Sequence, residues 1–222
     1  MAANLAKVRE VLDANDDQVT LVAVTKHATI DQIAEAYDLG VKNFGENKIQ
    51  DALKKREELN VCAPQVTLNS NWHFIGHLQT NKVKQAVGNF SLIHSVDSLK
   101  LAREVSRVAE QKGIVQNILL QVKLQDDENK SGFSDEDLRA ALPEMLKLPA
   151  IKINGLMTIS PLSDDRAVWA KSFEGLKKFR DSLSGQFNIE LKDLSMGMSD
   201  DWRDAITYGS TIIRLGRAIF GN

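Results

Sequence analysis

Gln18-Val19-Thr20-Leu21-Val22-Ala23-Val24-Thr25-Lys26-His27-Ala28-Thr29-Ile30 is the stretch on which the reading of this chain turns. Val19 to Thr25 is an apolar run rich in β-branched residues, the composition of a buried strand. Thr29-Ile30-Asp31-Gln32 then carries a capping signal, threonine three residues ahead of glutamine, and a helical pattern follows. Strand then helix is the first unit of an α/β repeat. Lys26 stands at the turn between them. In α/β proteins the carboxyl ends of the strands form the face where ligands are held, so a polar residue delivered there by a buried strand is a site candidate. Lysine is also an ordinary solvated surface cation, so Lys26 needs support from elsewhere in the chain.

Upstream, Leu5, Val8, Val11 and Leu12 form an apolar stripe that predicts an extra N-terminal helix packed where the fold closes at one end. Downstream, a helix over 30–39 is stopped by Gly40, and a second strand over 41–45 ends in Glu46-Asn47. A polar helix over 48–59 leads to a loop carrying Pro64 and a third strand over 72–76. Thr80 or Asn81 caps a short helix, 92–96 is the fourth strand, and Asp97 or Ser98 caps a helix running to Lys112. The fifth strand, 118–124, precedes a polar loop over 125–132 and a helix starting at Ser134. The sixth strand covers 151–159, a long amphipathic helix 165–183, and the last two strands 191–194 and 210–215.

This rhythm predicts an α/β fold, a (β/α)8 TIM barrel with residues 1–222 as one domain. Alternation alone does not separate a closed barrel from an open doubly wound sheet. Eight strands within 222 residues leave little room for further layers, however, and the turn Thr25-Lys26-His27-Ala28 lacks the glycines of a dinucleotide or P-loop site.

Composition narrows the function classes. Lys+Arg of 28 against Asp+Glu of 30 gives a formal net charge of -2 with no block of like charges, so no nucleic-acid or membrane partner is expected. Cys62 is the single cysteine, and His27, His73, His77 and His94 make no zinc signature. No signal-peptide core and no stretch of transmembrane length is present in the sequence, so a reducing, cytoplasmic setting is the expectation.

Two loops carry the chemistry. After the seventh strand comes Ser195-Met196-Gly197-Met198-Ser199-Asp200-Asp201, and after the eighth Arg214-Leu215-Gly216-Arg217. In barrels these loops commonly bind phosphate: small residues admit an anion to backbone N–H groups, Ser195 and Ser199 offer hydroxyls, and a helix starting near Asp201 or Trp202 aims its positive end there. An ordinary Gly/Ser turn with Ser199 or Asp200 as a helix cap would read alike. Two adjacent loops beside cationic Arg214 favour the cradle. A phosphate cradle opposite a strand-end lysine suits pyridoxal phosphate, which needs an amine for a Schiff base and a separate anchor for its phosphate.

At this point the sequence resembles a known family. Ala23-Val24-Thr25-Lys26, Phe44-Gly45-Glu46-Asn47, the run from Trp72 to Lys82, Gly155-Leu156-Met157, Ser195 to Ser199 and Gly209 to Gly216 look like the YggS/PROSC family of pyridoxal phosphate homeostasis proteins. The resemblance covers essentially the whole chain in the family's order. It implies a barrel of the alanine-racemase N-terminal type, with pyridoxal 5'-phosphate covalently bound as an internal aldimine to Lys26. It also implies that Ser199, Gly216 and neighbouring backbone amides grip the phosphate, that Arg214 lies beside the pyridine ring, that Asn47, His77 and Met157 line it, and that Ser195 and Met198 belong to the cofactor site. Met157 reads equally as core packing, and His77 equally as an exposed loop residue. An arginine at the ring does not leave the ring nitrogen protonated, which weakens the cofactor as an electron sink.

The implied function is a monomeric, non-catalytic protein of vitamin B6 homeostasis and amino-acid and keto-acid balance, exchanging its cofactor with transient apoenzyme partners. The alternative is a racemase of the barrel type. Such an enzyme needs a second base, a tyrosine from a separate β-domain; no part of this sequence reads as that domain, and Tyr37 and Tyr208 both read as helix positions. A phosphosugar-binding barrel enzyme would share the phosphate loops and leave the protein colourless.

Overall fold

Near-continuous apolar and β-branched runs let a strand bury both faces, and eight strands pair with parallel neighbours until the last meets the first. A computed structural model describes residues 1–15, 19–124, 131–161, 163 and 165–221. Its elements are α1 (Ala2–Asp13), β1 (Thr20–Val24), α2 (Ile30–Asp38), β2 (Asn43–Glu46), α3 (Ile49–Cys62), α4 (Pro64–Leu68) and β3 (Asn71–Phe74). A 3₁₀ turn (Thr80–Lys82), α5 (Val83–Ala86), β4 (Leu92–Val96), α6 (Leu99–Gln111), β5 (Gln116–Gln121), α7 (Asp135–Met145) and β6 (Ile151–Met157) follow. The chain continues through α8 (Arg166–Phe187), β7 (Asp193–Ser195), α9 (Trp202–Thr207), β8 (Ile212–Leu215) and α10 (Arg217–Phe220).

The strands form a closed parallel barrel in the order β1 to β8, sealed by pairing of Val22 with Arg214 across β1 and β8. Alternation splits the apolar residues into two sets. Ala23, Phe44, Trp72, Ile93, Leu156 and Ile213 face outward into the main core under the helices, where Phe44 and Trp72 rings lie 5.5 Å apart. Val22, Leu92, Leu119, Met157 and Ile212 point inward as a smaller cluster that fills the barrel. The expected TIM barrel and its N-terminal helix are thus present. α1 buries Leu5 and Val8, and it lies beside α10, where Asn4 Nδ2 donates to the Ile219 carbonyl at 3.2 Å.

Local signals that supply hydrogen-bond partners were legible. Thr29 and Gln32 form the capping box in both directions, at 2.9 and 3.2 Å, and Ser98 and Ser134 cap α6 and α7. Other expectations are corrected. The stretch read as a loop at Pro64 is α4, with proline at its first position, where a missing N–H costs nothing. Neither Thr80 nor Asn81 caps a helix: Gln79 holds the cap position without a side-chain bond, and the first turn is 3₁₀. The fifth strand begins two residues before the expected start, because Gln116 buries its amide against the Phe90 carbonyl at 3.0 Å, and it ends at Gln121. β6 also ends at Met157, β7 is shifted to Asp193–Ser195, and β8 starts only at Ile212. Tyr208 follows α9 as its C-cap. Of the loop expected over 125–132, residues 125–130 lie outside the described residues.

Candidate functional site

β1 runs through the barrel wall with Val22 inward and Ala23 outward and ends at Val24, and Lys26 stands exposed in the turn that leaves its carboxyl end. The residue before it is clamped. Thr25 donates its backbone N–H to the Gly45 carbonyl at 2.9 Å and its hydroxyl to Glu46 Oε1 at 2.6 Å. Glu46 is fully buried and ion-paired with Lys55 of α3 at 2.7 Å, and Lys55 Nζ also donates to the Thr25 carbonyl. These four groups fix the strand end that presents Lys26. Sequence reasoning missed Lys55, because a lysine in a polar helix carries no sign of the strand it will reach.

Beside this strand end, the loops after β7 and β8 are tied to one another. The Arg214 N–H donates to the Gly197 carbonyl at 3.0 Å, the Ala218 N–H to Ser199 Oγ at 3.3 Å, and Arg217 pairs with Asp200 at 2.6 Å. Ser199 Oγ accepts in this bond, which leaves its hydroxyl hydrogen free to donate. Gly197 is required by its backbone, with φ +96° and a Cβ that would fall 2.7 Å from Ala205 Cβ. Gly216 is different. Its φ is ordinary and a Cβ there would meet nothing nearer than the Val24 carbonyl at 3.5 Å, so neither strain nor packing demands a glycine. Its bare backbone instead leaves space above β1, as close approach by a ligand requires.

Met198 and Asp201 depart from the expected cradle. The Met198 N–H already donates to Asp201 Oδ1 at 2.6 Å, and Ser160 donates to the other carboxylate oxygen. An acidic side chain therefore occupies the Met198 N–H, a donor of the loop that leads into α9. Ser195, expected to offer its hydroxyl to phosphate, is fully buried below the mouth with its oxygen 2.6 Å from Arg214 Nη1 and 2.9 Å from His94 Nδ1. Met157 packs in the inward cluster with Val22, Leu92, Leu119 and Ile212.

Arg214 is buried on β8, and its Nη2 donates to the Thr158 carbonyl at 2.9 Å. Burial pushes the guanidinium down to about 10, with the charge of Asp201 acting in the opposite sense, so it stays cationic at neutral pH. Burial also pushes His73 down to about 4 and His94 well below the ordinary imidazole range, the latter aided by the charges of His73 and Arg214. Both rings are neutral. Asn47, exposed at the end of β2, presents its carbonyl to Gly76, where a Cβ would lie 2.1 Å from that oxygen. His77, also exposed, stands 3.4 Å from both Asp97 Oδ2 and Ser131 Oγ, beside a cleft of about 310 Å³ shared with Ile75, Gln121 and Thr158. The mouth thus assembles a free amine, a donor-only buried cation and a bare-backbone cradle with a hydroxyl donor. That set suits a small phosphorylated carbonyl compound.

The alanine racemase, N-terminal domain family matches residues 1–222. A pyridoxal phosphate homeostasis protein of Synechocystis sp. is 43% identical over 213 residues, 96% of this chain and 95% of that protein. One of Aquifex aeolicus is 39% identical over 217 residues, 98% of this chain and 92% of its own. Among solved structures, PipY of Synechococcus elongatus, a COG0325 family member, superposes with a TM-score of 0.90 in forms without and with PLP bound. The identity is 40% and 39%, and the alignment covers 99% of each chain.

Proposed function

This chain belongs to the family of pyridoxal phosphate homeostasis proteins built on the alanine racemase N-terminal domain, and from that premise we propose that it holds pyridoxal 5'-phosphate at the barrel mouth, attached at Lys26. When bound, the cofactor supplies an aldehyde that condenses with amines and a ring that draws electrons. Lys26 provides the amine, on a strand end already fixed by Thr25, Glu46 and Lys55. Ser199 and the Gly216 backbone receive the phosphate at the joined loops. Arg214 would meet the ring nitrogen as a donor, which would keep a proton off that atom and leave the ring a weak electron sink. Asn47, His77, Met157, Ser195 and Met198 surround these groups, Ser195 and Met157 from beneath, and residues 1–222 act as one ligand-binding domain.

The observation that carries this reading is the exposed Lys26 on a clamped strand end, beside an uncrowded Gly216 backbone on the neighbouring strand's exit that leaves room for a ligand. The protein is a carrier that takes up and gives back its cofactor, a monomer in the cytoplasm serving vitamin B6 and amino-acid and keto-acid balance by transfer to apoenzymes, rather than a racemase. Both tyrosines support this. Tyr37 lies in α2 near its C-terminal end and Tyr208 directly follows α9. In a β/α barrel those helix ends neighbour the amino ends of the strands, opposite Lys26. Neither side chain is placed to act as a second base. No described helix is long and apolar enough to cross a membrane.

The test is the visible spectrum of protein incubated with pyridoxal phosphate, followed by borohydride reduction and peptide mass mapping. A yellow protein labelled at Lys26 is the expected result; a protein left colourless and unlabelled overturns the reading. Arg214→Gln is expected to weaken cofactor retention by about tenfold, the cost of losing a charge-assisted donor, with attachment still detectable after reduction. Equilibrium dialysis decides, and an unchanged affinity removes Arg214 from the site.

A further inference from the structure

Below Arg214 the barrel interior is not wholly apolar. From Arg214 a series of polar contacts descends through it. Arg214 Nη1 is 2.6 Å from Ser195 Oγ, which is 2.9 Å from His94 Nδ1. His94 Nε2 is 2.9 Å from His73 Nδ1, and His73 Nε2 is 3.3 Å from Asn43 Oδ1, which Asn71 Nδ2 also meets at 3.1 Å. Asn43 and Asn71 open β2 and β3, at the amino end of the barrel. The contacts therefore cross the interior from mouth to base.

Their polarity follows from donor chemistry. A guanidinium only donates, so Ser195 Oγ accepts from it and its hydroxyl donates to His94 Nδ1. His94 then carries hydrogen on Nε2 and donates to His73 Nδ1. His73 likewise carries hydrogen on Nε2 and donates to Asn43 Oδ1. The reverse polarity would put two donors on Ser195 Oγ and strand its hydroxyl hydrogen in a buried site without an acceptor among the described residues, a costly arrangement. Nor does the chain carry charge away. A proton moved from Arg214 to either ring would leave a group near 10 for imidazoles that burial holds below their ordinary range, His73 at about 4, so the charge stays on the guanidinium.

We propose that Ser195, His94 and His73 are positioning residues for Arg214: a hydrogen-bonded chain of single direction, anchored on Asn43 and Asn71, that aims the guanidinium at the cofactor ring. The role rests on the pyridoxal phosphate reading above; the chain itself does not. Chains of buried hydrogen bonds strengthen one another, so a break at His94 is felt at Arg214 although the two do not touch.

Two measurements test this. In cofactor-free wild-type protein, long-range ¹H–¹⁵N spectra of the imidazoles are expected to show both rings neutral, with hydrogen on Nε2. A ring protonated on Nδ1 at neutral pH overturns the chain, whatever the ligand. With pyridoxal phosphate added, H94L is expected to bind about tenfold more weakly, with a shifted visible band, because Ser195 loses its acceptor. H94Q restores both, since its amide accepts from Ser195 and donates to His73. A folded H94L with wild-type band and affinity overturns the positioning role. If H94L does not fold, S195A carries the same expectation and the same overturning result. Wild-type protein that takes up no pyridoxal phosphate overturns the cofactor reading, and the role with it, while the imidazole spectra still decide the chain.

Discussion

Lys26→Ala protein is expected to fold as the wild type does and to carry no covalently attached cofactor. The loss should be complete, because one amine makes the bond, and no positioning group replaces an absent nucleophile. The fold should survive because Lys26 is exposed, while the turn that holds it depends on backbone and neighbours: Thr25 to Gly45, Ala28 to Thr25, and Lys55 to Glu46. An exposed substitution of this kind shifts stability by within about 0.5 kcal/mol. Circular dichroism and thermal melting report the first half, borohydride reduction and mass mapping the second. A variant that unfolds would make Lys26 structural. A variant that still yields a reduced adduct in the same site would assign the bond to another amine.

The largest effect on stability is expected from Gly155→Ala. Gly155 pairs with Asp193 across β6 and β7, and a Cβ there would lie 1.9 Å from the Asp193 carbonyl oxygen, with its carbonyl carbon and nitrogen at 2.6 and 2.7 Å. Every atom met is backbone, so no rotamer change relieves the overlap and the strands must part. A cost of about 3 kcal/mol or more is expected, in the range of severe overpacking, which for a chain of this length lowers Tm by about 6–12 °C. Gly185→Ala is the control. It lies in α8, a Cβ there meets nothing within 4 Å, and helix propensity alone should make the change neutral or stabilising by up to about 1 kcal/mol. Thermal unfolding of the two side by side checks the argument, and equal melting temperatures would defeat it.

What could be read from the sequence was whatever is written locally. Leu92–Val96 was expected as a strand from its apolar run and is β4 with those bounds. Thr29, Ser98 and Ser134 start helices because their oxygens satisfy backbone N–H groups three residues on, a relation within one turn. Placing Lys26 and Arg214 on one mouth followed from their positions at the carboxyl ends of the first and eighth strands and from the fold class. The polar interior did not follow. His73 and His94 lie 21 residues apart and meet through the stagger of β3 against β4, which closure sets and no short pattern encodes. One signal was available: each is a histidine at an alternate position in a strand whose neighbours, Trp72, Phe74 and Ile93, belong to the outer core. Ser195 shows the converse. Its place in a Gly/Ser-rich loop suggested a phosphate donor, but as the last residue of β7 it points inward, and its hydroxyl is committed to Arg214 and His94.

The clamp beneath Lys26 also bears on timing. Because Thr25, Glu46 and Lys55 order the strand end in the empty protein, loading freezes little more than the rotamers of one lysine, a cost of up to about 2 kcal/mol. No loop at that strand end has to fold around the cargo or melt to let it go. On the proposed attachment at Lys26, residence time would be governed by bond exchange at a single nitrogen, and an incoming amine, rather than a conformational step at β1, would be the trigger for delivery.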